Sequence, residues 1–259
     1  MKGIFRAFLV LLVAGGFTAT NAFGQKGLKL GFVAVPQSTW MLNQEDMDAP
    51  QDVFDYSLSW GMAAGPTFGY NFGDGVGFRL NFLYSAQGQK YTTIIPNPAG
   101  TEGTTVNHTR RLNYLKVPLF LSFNTGTEFN KLIFSFNAGF QANMLIRARY
   151  YNDDESYTPD EALLDDITDF PTTYQRYSWL DYGPVVDLGL DIKLTYNIMA
   201  NVHLRADYSL SDAENKDAAF TQWTFGLPND VRFYDEGRPV TNNLNAGLAI
   251  GLTYTFTTY

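Results

Sequence analysis

The chain has 259 residues and carries 18 basic against 26 acidic side chains, a net charge of −8. This acidic balance argues against a nucleic acid as partner, and the absence of cysteine excludes disulfides and thiol catalysis. After the N-terminal region, the sequence has no uninterrupted run of the roughly 18 apolar residues expected of a membrane-spanning helix.

The N-terminus predicts a secretory signal peptide over residues 1–24. Lys2 and Arg6 form a positive region, an eleven-residue apolar stretch follows, and Ala22-Phe23-Gly24 offers small residues at a cleavage site. Such a segment is too short to cross a membrane as a helix. We therefore expect export by a cleaved signal peptide and one mature domain over residues 25–259.

The stretch Leu58–Phe72 alternates between large apolar residues at even positions and small or polar residues at odd positions. A period of two predicts a strand, because successive side chains point to opposite faces. Its fifteen residues exceed the roughly five or six of a usual soluble strand. They also exceed the roughly 9–11 tilted residues that cross a bilayer. We interpret this stretch as a membrane-spanning strand.

The same alternation recurs along the chain, with short connections after the second, fourth and sixth strands and long connections after the others. An even strand count with this pattern is typical of bacterial outer-membrane barrels, whose periplasmic turns are short and whose extracellular loops are long. The predicted fold is therefore all-β: an eight-stranded antiparallel transmembrane β-barrel with up-and-down meander topology. The predicted strands are Leu28–Trp40, Leu58–Phe72, Val76–Gln87, Leu115–Phe123, Leu132–Ile146, Leu180–Leu194, Val202–Leu210 and Leu244–Phe256.

The alternative architecture is a secreted soluble barrel of the lipocalin type, with its apolar face turned inward around a ligand. Its outer face should be rich in Lys and Glu, whereas the polar face here is mostly Gly, Ser, Asn and Thr. The sequence therefore favours an apolar face that meets lipid, with aromatic girdles at both ends. The predicted girdle residues are Phe72, Phe78, Tyr196, Tyr254 and Phe256 at the short turns, and Trp60, Tyr84, Tyr182 and Tyr208 at the long loops.

Three prolines, Pro66, Pro118 and Pro184, fall inside predicted strands. Proline cannot donate to a ladder, and a closed barrel has no edge strand to accommodate it. We expect these residues to mark bulges or rim positions, unless the strand boundaries are displaced by a few residues.

Three segments resemble the PorT-like outer-membrane β-barrel family of Bacteroidetes. They are Leu80-Asn81-Phe82-Leu83-Tyr84-Ser85 followed by Gly88, the stretch Leu112–Leu119, and Tyr254-Thr255-Phe256 near the C-terminus. The resemblance implies a small eight-stranded barrel, and one branch of that family contributes a component of the type IX secretion and gliding apparatus. It carries no catalytic motif. The long acidic third loop of this chain departs from the family pattern.

Charged residues on the small, polar face are expected to point into the lumen. An eight-stranded barrel is just wide enough for side chains to fill it, and an unpaired buried charge is very costly. We therefore expect an ion-pair network that closes the lumen, with a gated proton or ion path as the alternative. The predicted members are Arg79, Asp187, Asp191, Lys193, Arg205 and Asp207, with Asp181 and His203 nearby on the same face.

The third long loop contains eight carboxylates and no Lys or Arg between residues 151 and 175. Clustered carboxylates can bind Ca²⁺, which makes Asp153, Asp154, Asp165 and Asp166 candidate metal ligands, although their spacing matches no EF-hand. A solvated anionic loop, or divalent bridging to lipopolysaccharide or to a partner, are the alternatives. No cofactor is expected.

The two histidines offer little for catalysis, since His203 points into the barrel and His108 is placed in a long loop without a serine. The sequence favours a non-enzymatic outer-membrane protein that acts as scaffold or binding partner, in its most specific form as a subunit of a secretion or envelope assembly complex. The expected partners are outer-membrane lipid or lipopolysaccharide and other envelope proteins. A small-solute or ion pore and an outer-membrane lipid-modifying enzyme are the alternatives.

Overall fold

The computed structural model describes residues 27–44, 54–73, 75–95, 104–125, 130–152, 176–215 and 239–257. All strand pairs are antiparallel, and the sheet closes because β1 pairs with both β10 and β3. Among the described residues, no helix is long and apolar enough to span a membrane. The ten strand segments are β1 (Gly27–Leu42), β2 (Phe54–Ser57), β3 (Ser59–Gly73), β4 (Val76–Asn81), β5 (Leu83–Ile95), β6 (Thr104–Asn124), β7 (Leu132–Asn152), β8 (Leu180–Lys193), β9 (Ile198–Tyr208) and β10 (Asn242–Thr257).

The ten segments occupy eight positions in the ring. Single residues, Leu58 and Phe82, separate β2 from β3 and β4 from β5, and each pair of segments fills one position. The predicted eight-stranded meander is therefore confirmed. We call the end of the barrel near Gly75, Lys131 and Leu194 the short-turn end, and the opposite end the long-connection end.

The pairing register fixes the width of the barrel. Following paired residues once around the ring from Gln37 of β1 leads back to Gly27 of the same strand. A stagger of this size over eight strands corresponds to a strand tilt of about 40°. Such a barrel has an interior that inward-facing side chains can fill.

The two faces of the sheet have opposite polarity. Large apolar side chains point outward, with Trp60 at 69% and Leu204 at 67% exposure, and all nine predicted girdle aromatics are exposed. The inward face carries buried polar residues such as Ser85, Asn137 and Thr255. The lipocalin-type alternative is therefore wrong, because its apolar face would line the interior.

Strands β6 and β7 run farther toward the long-connection end than the alternation predicts. β6 begins at Thr104 instead of Leu115, and β7 ends at Asn152 instead of Ile146. The prediction that His108 lies in a loop is wrong: His108 lies within β6, where it pairs with Asn152 of β7. A bulge between these strands near Asn113 and Tyr114 shifts the register.

Beyond this bulge the polarity of the two faces inverts. Leu112, Tyr114 and Leu145 point inward and are buried, whereas the outward positions carry charge. The inversion follows from the solvent, because an outer face above the hydrocarbon meets water and headgroups instead of acyl chains. The exposed outward cations, which we call the rim cations, are Lys90, Arg111, Arg147 and Arg149.

Two prolines meet at the break between β4 and β5. The Phe82 amide donates to the Pro66 carbonyl at 3.0 Å, but Pro66 has no N–H to return the bond. The register on the other side, Leu80 with Leu119 and Leu83 with Lys116, brings Pro118 opposite Asn81. Pro66 and Pro118 thus interrupt ladders inside the sheet, so their expected placement at bulges or rims is wrong.

Pro184 also lies inside a strand, because β8 begins four residues earlier, at Leu180. It pairs in register with Phe140 of β7. On its other side the β8–β9 ladder is interrupted after Val185 with Asp207, but the Leu210 amide still donates to the Tyr182 carbonyl at 2.8 Å beyond it. The expected rim position of Pro184 is therefore wrong as well.

Candidate functional site: the charged lumen

Four aspartates point into the lumen and are buried. Asp181, Asp187 and Asp191 lie on β8, and Asp207 lies on β9. The three residues on β8 are separated by even numbers of positions, so they lie on one face of the strand. A buried carboxylate needs hydrogen-bond donors or a cation beside it, and these partners differ among the four aspartates.

Asp207 receives three donors from three other strands. Its Oδ1 accepts from Lys116 Nζ at 2.9 Å, Gln141 Nε2 at 2.8 Å and Asn245 Nδ2 at 2.9 Å. Lys116 belongs to β6, three ring positions from β9, so this ion pair spans the interior. Side chains from β6, β7, β9 and β10 are therefore tied together across the lumen.

Asp187 forms a bidentate ion pair with Arg205 of the neighbouring strand. Arg205 Nε donates to Oδ1 at 2.7 Å and Nη2 donates to Oδ2 at 3.0 Å. The Arg205 guanidinium carbon lies 5.2 Å from the ring centroid of Phe120, and that of Arg79 lies 5.6 Å from the same centroid. Phe120 is 1% exposed, so an aromatic ring with two guanidinium groups occupies the middle of the barrel.

His203 lies between two carboxylates. Its Nε2 is 2.9 Å from Asp191 Oδ1 and its Nδ1 is 3.9 Å from Asp187 Oδ2. Asp191 also accepts from Ser135 Oγ and, at 2.6 Å, from Asn201 Nδ2. Because both ring nitrogens face carboxylates, this imidazole is held in a charge network and is not paired with a hydroxyl nucleophile.

An apolar cluster fills the lumen at the long-connection end. It consists of Met41, Leu112, Tyr114, Leu145 and Tyr177, all buried. Four of these residues lie outside the predicted strands, and Leu145 lies at the end of the strand predicted over Leu132–Ile146. The alternation of the membrane-spanning segments therefore gives no sign of the cluster.

Chain segments beside the apolar cluster cover the same end of the barrel. Residues 176–179 and 211–215 pair with each other, since the Ser178 amide donates to the Ala213 carbonyl and the Asn215 amide donates to the Arg176 carbonyl, each at 2.9 Å. Glu214, 2% exposed, lies 3.6 Å from Arg110 Nη1. We call residues 176–179 and 211–215 the outer cap, and its Tyr177 packs within the apolar cluster.

The short-turn half of the lumen contains a polar cavity of about 40 Å³. Lys29, Arg79, Asn137 and Asp191 contribute to its walls. The cavity also touches Asn71 and Asn124, which lie beside the short turns. Polar space therefore exists toward the short-turn end, whereas the middle and the outer end are filled.

The predicted charged residues are brought together in part. Asp187 pairs with Arg205 and Asp191 lies beside His203, whereas Asp207 pairs with Lys116, which is not among the predicted members. Arg79 lies over Phe120. Lys193 is the last residue of β8, and its positive charge repels that of Lys29.

Three inward residues of this site are not among those predicted from the sequence: Lys29, Lys116 and Phe120. The signal was present, because the alternation that turns Leu115 and Val117 outward also turns Lys116 inward. The carboxylates Asp153, Asp154, Asp165 and Asp166, the predicted metal candidates, lie outside the described residues. Within the described part of the chain, no group of three His, Cys, Asp or Glu could hold a metal ion.

Comparison with known proteins gives a family and a set of similar folds. The family model described as outer membrane protein beta-barrel domain matches residues 19–215. Neisserial surface protein A is 10% identical with a TM-score of 0.45, over 90% of this chain and 99% of that chain. OprG from Pseudomonas aeruginosa is 14% identical with a TM-score of 0.40, over 92% and 100%. Outer membrane protein W of E. coli is 14% identical with a TM-score of 0.37, over 90% and 99%. Among curated proteins, none matches the sequence significantly.

Proposed function

The chain belongs to the outer membrane protein beta-barrel domain family, and from this premise we propose that it is a non-conducting, non-enzymatic barrel that acts as scaffold or binding partner in the outer membrane. The finer proposal is that it is a subunit of a secretion or envelope assembly complex, which the resemblance to the PorT-like family motivates. The signal peptide, cleaved after residue 24, belongs to the same proposal.

The filled lumen carries this proposal. The Lys116–Asp207 ion pair crosses the interior, the Arg205–Asp187 pair with Phe120 occupies its middle, and the apolar cluster with the outer cap covers its outer end. A solute would have to displace buried ion pairs, each held by further hydrogen bonds. Displacing one partner of a buried pair costs about 3–5 kcal/mol, which disfavours steady passage.

Planar bilayers test this proposal directly. We expect the purified, refolded barrel to insert without steady single-channel conductance, while a general porin reconstituted in parallel conducts. Steady openings of the barrel itself would favour the pore alternative and contradict the proposal.

The partners we propose are outer-leaflet lipid or lipopolysaccharide and other envelope proteins. The rim cations support the first, because four exposed positive charges follow the apolar outer face at the long-connection end. Extraction of the tagged protein in mild detergent, followed by mass spectrometry, tests the second. Envelope proteins in stoichiometric amounts support the assembly form, whereas recovery of the barrel alone contradicts it.

A lipid-modifying activity is the competing function. The placement of His203 between Asp187 and Asp191 speaks against it, because the imidazole activates no serine or threonine there. We expect the purified barrel to leave outer-membrane lipids chemically unchanged. Turnover that is lost in His108→Ala would contradict the non-enzymatic proposal.

A further inference from the structure

Two cations line the polar cavity of the short-turn half. Lys29 of β1 and Arg79 of β4 lie on either side of β3, and each pairs in register with Gly69. Gly69 has no side chain, so the space between the two cations stays open. Among the described residues, neither Lys29 nor Arg79 forms an ion pair within 4.0 Å.

The carboxylates closest to these cations are already occupied. The charge of Asp191 attracts both Lys29 and Arg79. However, its carboxylate already accepts hydrogen bonds from Ser135, Asn201 and His203. Asp187 is taken by the two donors of Arg205. Lys193 adds another positive neighbour beside Lys29. Among the residues that line the cavity, Lys29 and Arg79 are basic and only Asp191 is acidic.

A buried donor in the same wall lacks an acceptor. Asn137 is 1% exposed, and its Nδ2 has no hydrogen-bond partner among the described residues. A buried N–H donor without an acceptor is unfavourable, so this part of the wall favours a species that accepts hydrogen bonds.

We propose that this cavity binds a small inorganic anion of the size of chloride, held by Lys29 Nζ, the Arg79 guanidinium and Asn137 Nδ2. A cavity volume of about 40 Å³ has room for such an ion, since about 10–15 Å³ measured in the same way is enough to hold one water molecule. The anion screens the repulsion between the two cations, which is stronger inside the barrel than in water. It enters from the short-turn end, where Asn71 and Asn124 line the cavity.

The first test measures stability against the anion. The midpoint of urea unfolding of the refolded barrel is expected to rise with chloride but not with gluconate at equal ionic strength. Lys29→Gln should abolish the chloride effect, while Lys131→Gln, which removes an exposed cation outside the cavity, should retain it. An equal rise in gluconate, or an unchanged chloride effect in Lys29→Gln, would overturn the proposal.

Asn137→Asp provides a second variant that does not depend on removing a cation. The new carboxylate adds a fixed negative charge to the cavity wall that Lys29 and Arg79 share, so the variant should lose its response to chloride. Crystals grown in bromide should show an anomalous peak beside Asn137 Nδ2 in the wild type and none in this variant. A cavity that holds only water in bromide, or a chloride response that persists in Asn137→Asp, would refute the anion site.

Discussion

At the scale of single residues, the lumen is organised by its buried carboxylates. Asp207 accepts from side chains of three other strands, so one carboxyl group fixes the positions of residues that lie far apart in the sequence. Asp187 instead accepts twice from Arg205 of the neighbouring strand. Removing one partner of such a pair leaves a buried charge, which is more damaging than removing both. Arg205 is where this difference is most easily measured.

Arg205→Leu should destabilise the barrel strongly. The substitution leaves Asp187, which is fully buried, without its bidentate partner. Breaking a buried pair costs about 3–5 kcal/mol, and we expect the lower part of this range because His203 and Arg79 also face Asp187. Urea unfolding of the barrel in lipid vesicles measures the loss.

The double variant Asp187→Asn with Arg205→Gln is the matched comparison. It removes both charges while keeping groups that can hydrogen-bond, so its stability should lie closer to the wild type than that of Arg205→Leu. If the double variant were the less stable of the two, the ion pair would contribute net stability beyond satisfying Asp187.

The sequence predicted the charged lumen better than its partners. Alternation alone shows that Arg79, Asp187 and Arg205 point inward, because it depends on strand geometry only. It does not say which cation meets which carboxylate, since that depends on the stagger of the ring. Lys116 is 91 residues from Asp207, and only closure of the sheet brings the two side chains together.

At the scale of the strands, the alternation succeeds where both faces have a constant environment. It predicts the segments between the girdles well and stops at Leu115 and Ile146. There the outer face leaves the lipid, the bulge shifts the β6–β7 register, and the polarity of the two faces inverts. A pattern in which apolar residues face outward therefore predicts loop where β6 and β7 extend beyond the bulge.

The prolines at the break between β4 and β5 give a prediction for one strand. Pro66→Val supplies an N–H opposite Phe82, whose amide already donates to residue 66. The new bond contributes about 0.5–1.5 kcal/mol, but loss of proline's restriction of the unfolded chain removes about 0.4–1 kcal/mol. Stability should thus change little, whereas the new amide should be protected from hydrogen exchange.

Hydrogen exchange followed by mass spectrometry of the folded barrel measures this protection. The variant Leu58→Val, at the other single-residue break, adds no amide and serves as control. Rapid exchange of the amide at position 66 would mean that the interruption at Phe82 has a cause other than proline.

At the scale of the whole molecule, the barrel has two unlike ends. The short-turn half contains the polar cavity, and the long-connection end is covered by the apolar cluster and the outer cap. In bacterial barrels the short turns face the periplasm. We therefore expect the outer cap and the rim cations to face the cell exterior.

Cysteine labelling tests this orientation cleanly, because the natural chain contains no cysteine. Val240→Cys lies exposed at the long-connection end, and Lys131→Cys lies exposed at the short-turn end. A membrane-impermeant maleimide added to intact cells should label the first variant only, and both after the cells are lysed. Labelling of Lys131→Cys in intact cells would reverse the assigned orientation.

The rim cations lead to the last prediction, which concerns the lipid around the barrel. Arg111 and Arg149 are direct cross-strand partners, so two of the four positive charges stand side by side on the outer face. Each cation close to an anionic lipid surface contributes about 1 kcal/mol to binding. Replacing all four by Gln should therefore weaken the binding of phosphorylated lipid on the order of a hundredfold or more.

The amount of phosphorylated lipid that co-purifies with the barrel measures this loss, with Lys131→Gln at the short-turn end as the single-charge control. Dephosphorylated lipid should bind wild type and rim variant alike, because it lacks the charge that the cations recognise. If the rim variant retained its phosphorylated lipid, the outward apolar face alone would hold it. The proposed contact between the rim cations and phosphorylated lipid would then be wrong.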